Sequence, residues 1–329
     1  MVHVVITGGA GFLGSRLARQ LLRAGTLGAA GEAPRPLSRV TLIDQAPVPA
    51  DLAADERVTA VRGDLAGLLA PGGGALDGAD VVFHLAAAVS AECEADFDLG
   101  IHANLRGTEA LLAACRALAT SPVVVYASSV AVFGGSPARP LPPVIDDQTL
   151  PVPQTSYGTQ KVIGEYLLAD YTRKGFLRGR ALRLMTVAVR PGRPNRAASG
   201  WVSGIIREPL AGQPAVCPVP PDTEVALASP AKAVTALLRA ADCPERAWGD
   251  STPVTMPALT VSAGEMAAAL ERVAGPGVSA LIEWAPDPVI TAMMRGWPAR
   301  VKADRAARLG LTPDPDFDSI IRLHLAEAG

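Results

Sequence analysis

The chain opens on a short apolar run that breaks into glycines. VHVVIT, residues 2–7, is β-branched and almost continuously apolar, the pattern of a strand covered on both faces. TGGAGFLG follows, and its glycines at 8, 11 and 14 lead straight into FLGSRLARQLLRAG, whose apolar residues recur at helical spacing. Strand, glycine loop and helix in that order permit few folds. Gly8 allows the tight turn, Gly11 lets the backbone approach a pyrophosphate, and Gly14 lets the helix pack close to the strand. Phe12 and Leu13 open the helix, whose N-terminus then faces the phosphates. The expectation is a dinucleotide-binding unit at the start of the chain.

The pattern repeats downstream. RVTLID (39–44), RVTAVRGDL (57–65), ADVVFHLAA (79–87) and SPVVVYASS (121–129) read as further strands. A Gly-, Ala- and Pro-rich loop is expected over 25–36, and helices from 107 onward and over 157–171. Residues 180–192 return to the sheet. Strands alternating with helices predict an α/β fold, a Rossmann-type doubly wound parallel sheet over residues 1–192. Prolines then rise in frequency. Helices near 202–210, 230–241 and 263–273 predict a smaller, mostly helical C-terminal substrate lobe over 193–329, with some segments returning to the sheet.

Bulk properties exclude several classes. Hydrophobic residues are 49% of the chain, charged residues 19%, and the net charge is -2. No basic run points to nucleic acid or an anionic membrane. No apolar run approaches the ~20 residues of a membrane span. The four cysteines form no CxxC pair, so free thiols in a reducing cytoplasm are expected. No His or carboxylate cluster has metal spacing. His84 falls in a buried-strand motif, and His102 reads as structural.

Chemistry-bearing residues gather at the strand ends. Asp44 ends the second strand, where a carboxylate accepts from both ribose hydroxyls and repels a 2'-phosphate, which favours NAD over NADP. Asp64, followed by Leu65, suits an adenine contact and equally a helix cap. Ser129 ends the fifth strand. Tyr157 and Lys161, in PQTSYGTQK, are four residues apart and share one helix face, with Ser156 placed as the cap. Near neutral pH a phenol is too weak a base unless nearby positive charge favours its phenolate. Serine can hold a substrate oxygen while the tyrosine takes its proton.

TGGAGFLG, Asp44, HLAA, YASSVAVFG and YGTQK together resemble the extended short-chain dehydrogenase/reductase family over nearly the whole chain. The resemblance implies NAD as cofactor, a catalytic Ser129, Tyr157 and Lys161, and Lys161 also binding the nicotinamide ribose. It implies that Leu85, Ala86, Ala87, Asn104, Pro191 and Gly192 line the cofactor. It also implies a homodimer through a four-helix bundle that includes the tyrosine helix. Longer stretches, among them VVFHLAAAVSAECEADFDLG and VRPGRPNRAASGWVSGIIREPLAG, are similar to family members that oxidise four-carbon sugar acids. Oxidation of the C2 hydroxyl of D-erythronate to 2-oxo-tetronate is what they imply.

Dehydratases of the family carry an Asp–Glu pair after the serine; Val130 and Ala131 stand here. Epimerases share the Ser, Tyr and Lys and stay open at this point. A non-catalytic NAD-binding regulator often loses the tyrosine or lysine, and both are intact. Phe133 replaces a tyrosine common in the family, which removes one hydroxyl. A sugar acid brings a carboxylate, which calls for arginine. RPGRPNRAASG offers Arg190, Arg193, Asn195 and Arg196. Ser90, Ser129, Tyr157, Thr186, Asn195 and either Arg193 or Arg196 are the expected substrate contacts.

Overall fold

The structure is a computed structural model that describes residues 1–70, 73–136, 138–192, 199–250 and 252–328. Its centre is an eight-stranded sheet. The order across it is Val254–Thr255, Arg178–Leu184, Val123–Ser129, Val81–His84, Val2–Thr7 and Arg35–Asp44. These neighbours all pair in parallel, and Val58–Arg62 pairs in parallel with Arg35–Asp44. The chain reverses direction across the sheet beside Val2–Thr7. In such sheets ligands bind at that reversal, beyond the carboxyl ends of the strands.

Alternation along each central strand explains the doubly covered sheet. Val4 and Ile6, Val81 and Phe83, and Val123 and Val125 enter one core with Leu17, Leu21 and Leu237. Val5, Val82, Val124 and Tyr126 enter the opposite core with Leu111, Leu112 and Leu168. The helices Phe12–Ala24 and Pro230–Asp242 thus cover one face. Gly107–Ala117 and Ser156–Arg173 cover the other. A third core lies in the C-terminal lobe, around Trp201, Val202, Ile205, Met266, Leu270 and Ile320.

The expected α/β architecture holds, and four details change. The second strand starts at Arg35, because Thr26–Leu27 folds back antiparallel onto it from within the expected loop. The 180–192 segment splits after Leu184, and Thr186–Val187 joins a three-stranded sheet with Glu224–Ala228 and Leu259–Ser262. Together with the pair Ala215–Cys217 and Ile282–Trp284, this makes the lobe a mixture of helices and small sheets. Finally, Thr155 and not Ser156 caps the tyrosine helix, its side chain accepting from the Gly158 amide at 3.1 Å. Thr155 has the extended backbone a cap needs, while Ser156 already belongs to the first helical turn.

Two glycines set how near that helix lies to the Ser129 strand. A Cβ at Gly164 would collide with the Tyr126 hydroxyl, and one at Gly158 with the Ala131 carbonyl. The helix therefore presses onto the strand end, which brings Tyr157 to Ser129.

Candidate active site

A cleft of about 640 Å³ runs along the carboxyl edge of the sheet. Its walls include Gly8, Gly11, Phe12, Leu13 and Gly14, then Asp44, Asp64 and Leu65. Leu85, Ala86 and Ala87 follow, and Ser129, Tyr157 and Lys161 lie at the far end. The glycine loop is closed tightly: Gly8 takes a positive φ of 70°, and a Cβ at Gly14 would meet the Gly8 carbonyl oxygen. No side chain caps the helix at Gly11. Its first-turn amides, which lack intrahelical partners, suit phosphate oxygens.

Asp44 accepts from the Ala10 and Ala46 amides, each at 3.0 Å, and so ties the glycine loop to the strand end. Asp64 caps the following turn through Gly67 at 3.1 Å and also bonds His102 at 3.0 Å. The residues present thus fit a dinucleotide: a phosphate cradle, a ribose-facing carboxylate and an apolar shelf at Leu85 to Ala87.

That shelf is held from behind. Thr7 Oγ1 lies 2.7 Å from His84 Nδ1, and His84 Nε2 lies 3.0 Å from Thr108 Oγ1. Thr108 donates to the Asn104 carbonyl at 2.6 Å and Thr7 accepts from the Ala86 amide, so the network assigns the proton to Nε2. Burial, with the nearby Lys161 charge, pushes His84 down to about 3, so the ring is neutral here. Asn104 stands outside the cleft lining. Its amide bonds Ala88 on both sides, at 2.8 and 3.2 Å, and Gln160 at 2.8 Å. Pro191 and Gly192 are exposed and also lie outside the lining. Arg193, Asn195 and Arg196 fall outside the described residues.

At the far end Tyr157 and Ser129 line both cavities, and burial pushes the phenol up to about 12. The Ser129 hydroxyl and the Arg190 charge act the other way without overcoming burial. Lys161 Nζ donates to the Ala127 carbonyl at 2.8 Å, with its charge 5.6 Å from the centre of the Tyr157 ring. Burial lowers Lys161 to about 8, so it is an ammonium at neutral pH. The Arg190 charge thus favours the phenolate, and the Lys161 ammonium lies beside the same ring.

Behind them Glu165, one turn beyond Lys161, forms a bidentate pair with Arg183 at 2.7 and 2.8 Å and accepts from Ser128 at 2.5 Å. This pair is almost fully buried. It joins the tyrosine helix to the two strands beside it.

A second, smaller cavity of about 80 Å³ adjoins the first at Ser129 and Tyr157. Ser90, Thr186 and Ser199 add hydroxyls to it, and Val89, Val130, Ala131, Met185 and Trp297 add apolar wall. Arg190 borders both cavities and is the one charged group among the described residues lining the small one. Its backbone is fixed at both ends: its amide donates to Ser203 at 3.0 Å, and its carbonyl accepts from Arg207 at 2.8 Å. Arg190 was one of four sequence candidates and Trp297 none, because nothing in the sequence links a lobe residue to the serine strand.

The comparisons agree with this geometry. The model of the NAD dependent epimerase/dehydratase family matches residues 4–241, and the chain belongs to that family. Its cofactor is NAD. A D-erythronate dehydrogenase of Cupriavidus necator is 47% identical over 329 residues, covering 100% of this chain and 99% of the relative. A D-erythronate dehydrogenase of Haemophilus influenzae is 36% identical, with 98% of each chain covered. A crystal structure described as a nucleoside-diphosphate-sugar epimerase from Agrobacterium tumefaciens is 42% identical, with a TM-score of 0.88 over 99% of this chain and 94% of that one.

Proposed function

We propose that this protein is an NAD-dependent dehydrogenase that oxidises the C2 hydroxyl of a small sugar acid, D-erythronate first, to the 2-oxo acid. The observation that carries this is the small cavity, with its five hydroxyl side chains, one guanidinium and no carboxylate among its described walls. A short polyol acid matches that set: hydroxyls meet hydroxyls and the carboxylate meets Arg190. Val130 and Ala131 in the wall offer no group for proton transfer, which argues against dehydration.

NAD, when bound, supplies the hydride acceptor and a positive charge near the phenol. Ser129 holds the C2 oxygen by a hydrogen bond. Tyr157, as phenolate, takes the C2 hydroxyl proton. Lys161 keeps its ammonium below about pH 8 and adds positive charge under the ring. Asp44 and the glycine loop orient the cofactor; His84 acting through Thr7 holds Ala86, and Asn104 holds Ala88 beside it. The reading places the enzyme in the cytoplasm, consistent with four free, buried cysteines. Among the described residues no helix is long and apolar enough to cross a membrane.

Arg190→Gln tests the carboxylate assignment. It should lower kcat/KM for the acid by roughly 10- to 100-fold, the loss expected when a charge-assisted bond of ~1.5–3 kcal/mol goes. The kinetic pKa of the base should also move up, because a charge that favours the Tyr157 phenolate is lost. Unaltered acid kinetics would refute the assignment. The 42% identical structure's description supports a second reading, a sugar-nucleotide epimerase. Turnover of such a nucleotide without net NADH formation is its signature.

A homodimer is the assembly that the family resemblance and one surface support. Phe97 and Tyr166 are 62% and 67% exposed, and Leu99 is 42% exposed, on adjoining helical segments. A second copy would cover them through the four-helix bundle. Light scattering should give twice the single-chain mass, and Tyr166→Glu should halve it. A monomeric parent protein would rule the dimer out.

A further inference from the structure

We propose that Trp297 sets the length of acid the site accepts. This inference rests on the dehydrogenase reading above and deepens it. The other described residues lining the small cavity lie between Val89 and Ser199. Trp297 reaches it from far along the chain, in the C-terminal lobe, two residues beyond the helix Pro288–Arg295. Its amide donates to the Met294 carbonyl at 3.2 Å, which closes the turn after that helix. Its ring packs against the lobe's own core, where Met294 is buried. The indole is thus a large, braced wall and not a loose side chain.

Two anchors fix how an acid enters. The reacting C2 hydroxyl must sit at Ser129 and Tyr157, and the carboxylate at Arg190. Carbons 3 and 4 then occupy what remains of a cavity of about 80 Å³. Each further CHOH group needs space that the indole fills. Trp297 touches neither the reacting atoms nor the cofactor cleft, so it acts on the choice of substrate.

The test uses four-, five- and six-carbon 2-hydroxy sugar acids of matched C2 configuration, with saturating NAD. The parent protein should favour the four-carbon acid. In Trp297→Ala the ratio of kcat/KM for the six-carbon acid to that for the four-carbon acid should rise by about 10-fold or more, the scale set by a one-methylene size difference against a pocket wall. Trp297→Leu should fall between the two and carries the same test if the alanine variant does not fold. A uniform loss across all three acids, or an unchanged ratio, overturns the proposal. A parent protein that oxidises none of the acids sinks the dehydrogenase reading itself, which separates the two failures.

Discussion

Tyr157→Phe should lower kcat for the acid by about 10²-fold or more and leave NAD binding intact. The substitution keeps the ring and removes only the hydroxyl that exchanges a proton with substrate; such groups contribute about 10²- to 10⁴-fold. The starting point of the phenol makes the effect large. Pushed up to about 12 by burial, it holds its proton at neutral pH. The Ser129 hydroxyl and the Arg190 charge both favour the phenolate, and the positive charge of a bound cofactor acts in the same sense. Phenylalanine forfeits all three. Equilibrium NAD titration beside steady-state rates checks this. An unchanged kcat would return the protein to the class of non-catalytic NAD binders.

Glu165→Ala should destabilise the fold by about 3–5 kcal/mol, because it leaves Arg183 charged and buried without its partner. The side chains are only 4% and 8% exposed, so bulk salt screens the pair little. Replacing both together, Glu165→Leu with Arg183→Met, should recover most of the loss, since well-packed apolar residues often match a buried ion pair. Urea unfolding of the single and double variants makes the comparison. A single-variant loss under about 1 kcal/mol would be the behaviour of an exposed pair and would contradict this account. The pair has a positional consequence too. It ties the helix of Tyr157 and Lys161 to Ser128, the neighbour of Ser129.

Much of this was legible in the sequence for a simple reason. The glycine loop, Asp44, Ser129 and the Tyr157–Lys161 pair are local signals: each sits at a strand end or on one helix face, and chain order places strand ends along one edge. What escaped is non-local. Asp44 shows both its oxygens engaged by the glycine loop and the next turn, which no spacing reveals. Asn104, expected at the cofactor, bonds the backbone of Ala88, a partner that no spacing reveals. Lys161 was read as the charge that acts on the phenol; that its amine also bonds the Ala127 carbonyl is a partner four-residue spacing does not show. Trp297 comes from another lobe, and the small sheets there escaped because their strands are only two to five residues long.

The central claim is net oxidation of a short sugar acid. Its most direct measurement follows NADH absorbance when the purified protein meets added NAD and D-erythronate, with product analysis by mass. The account predicts one NADH and one 2-oxo acid for each acid consumed. Turnover of a sugar nucleotide to its epimer, with no NADH released and no acid oxidised, would contradict it.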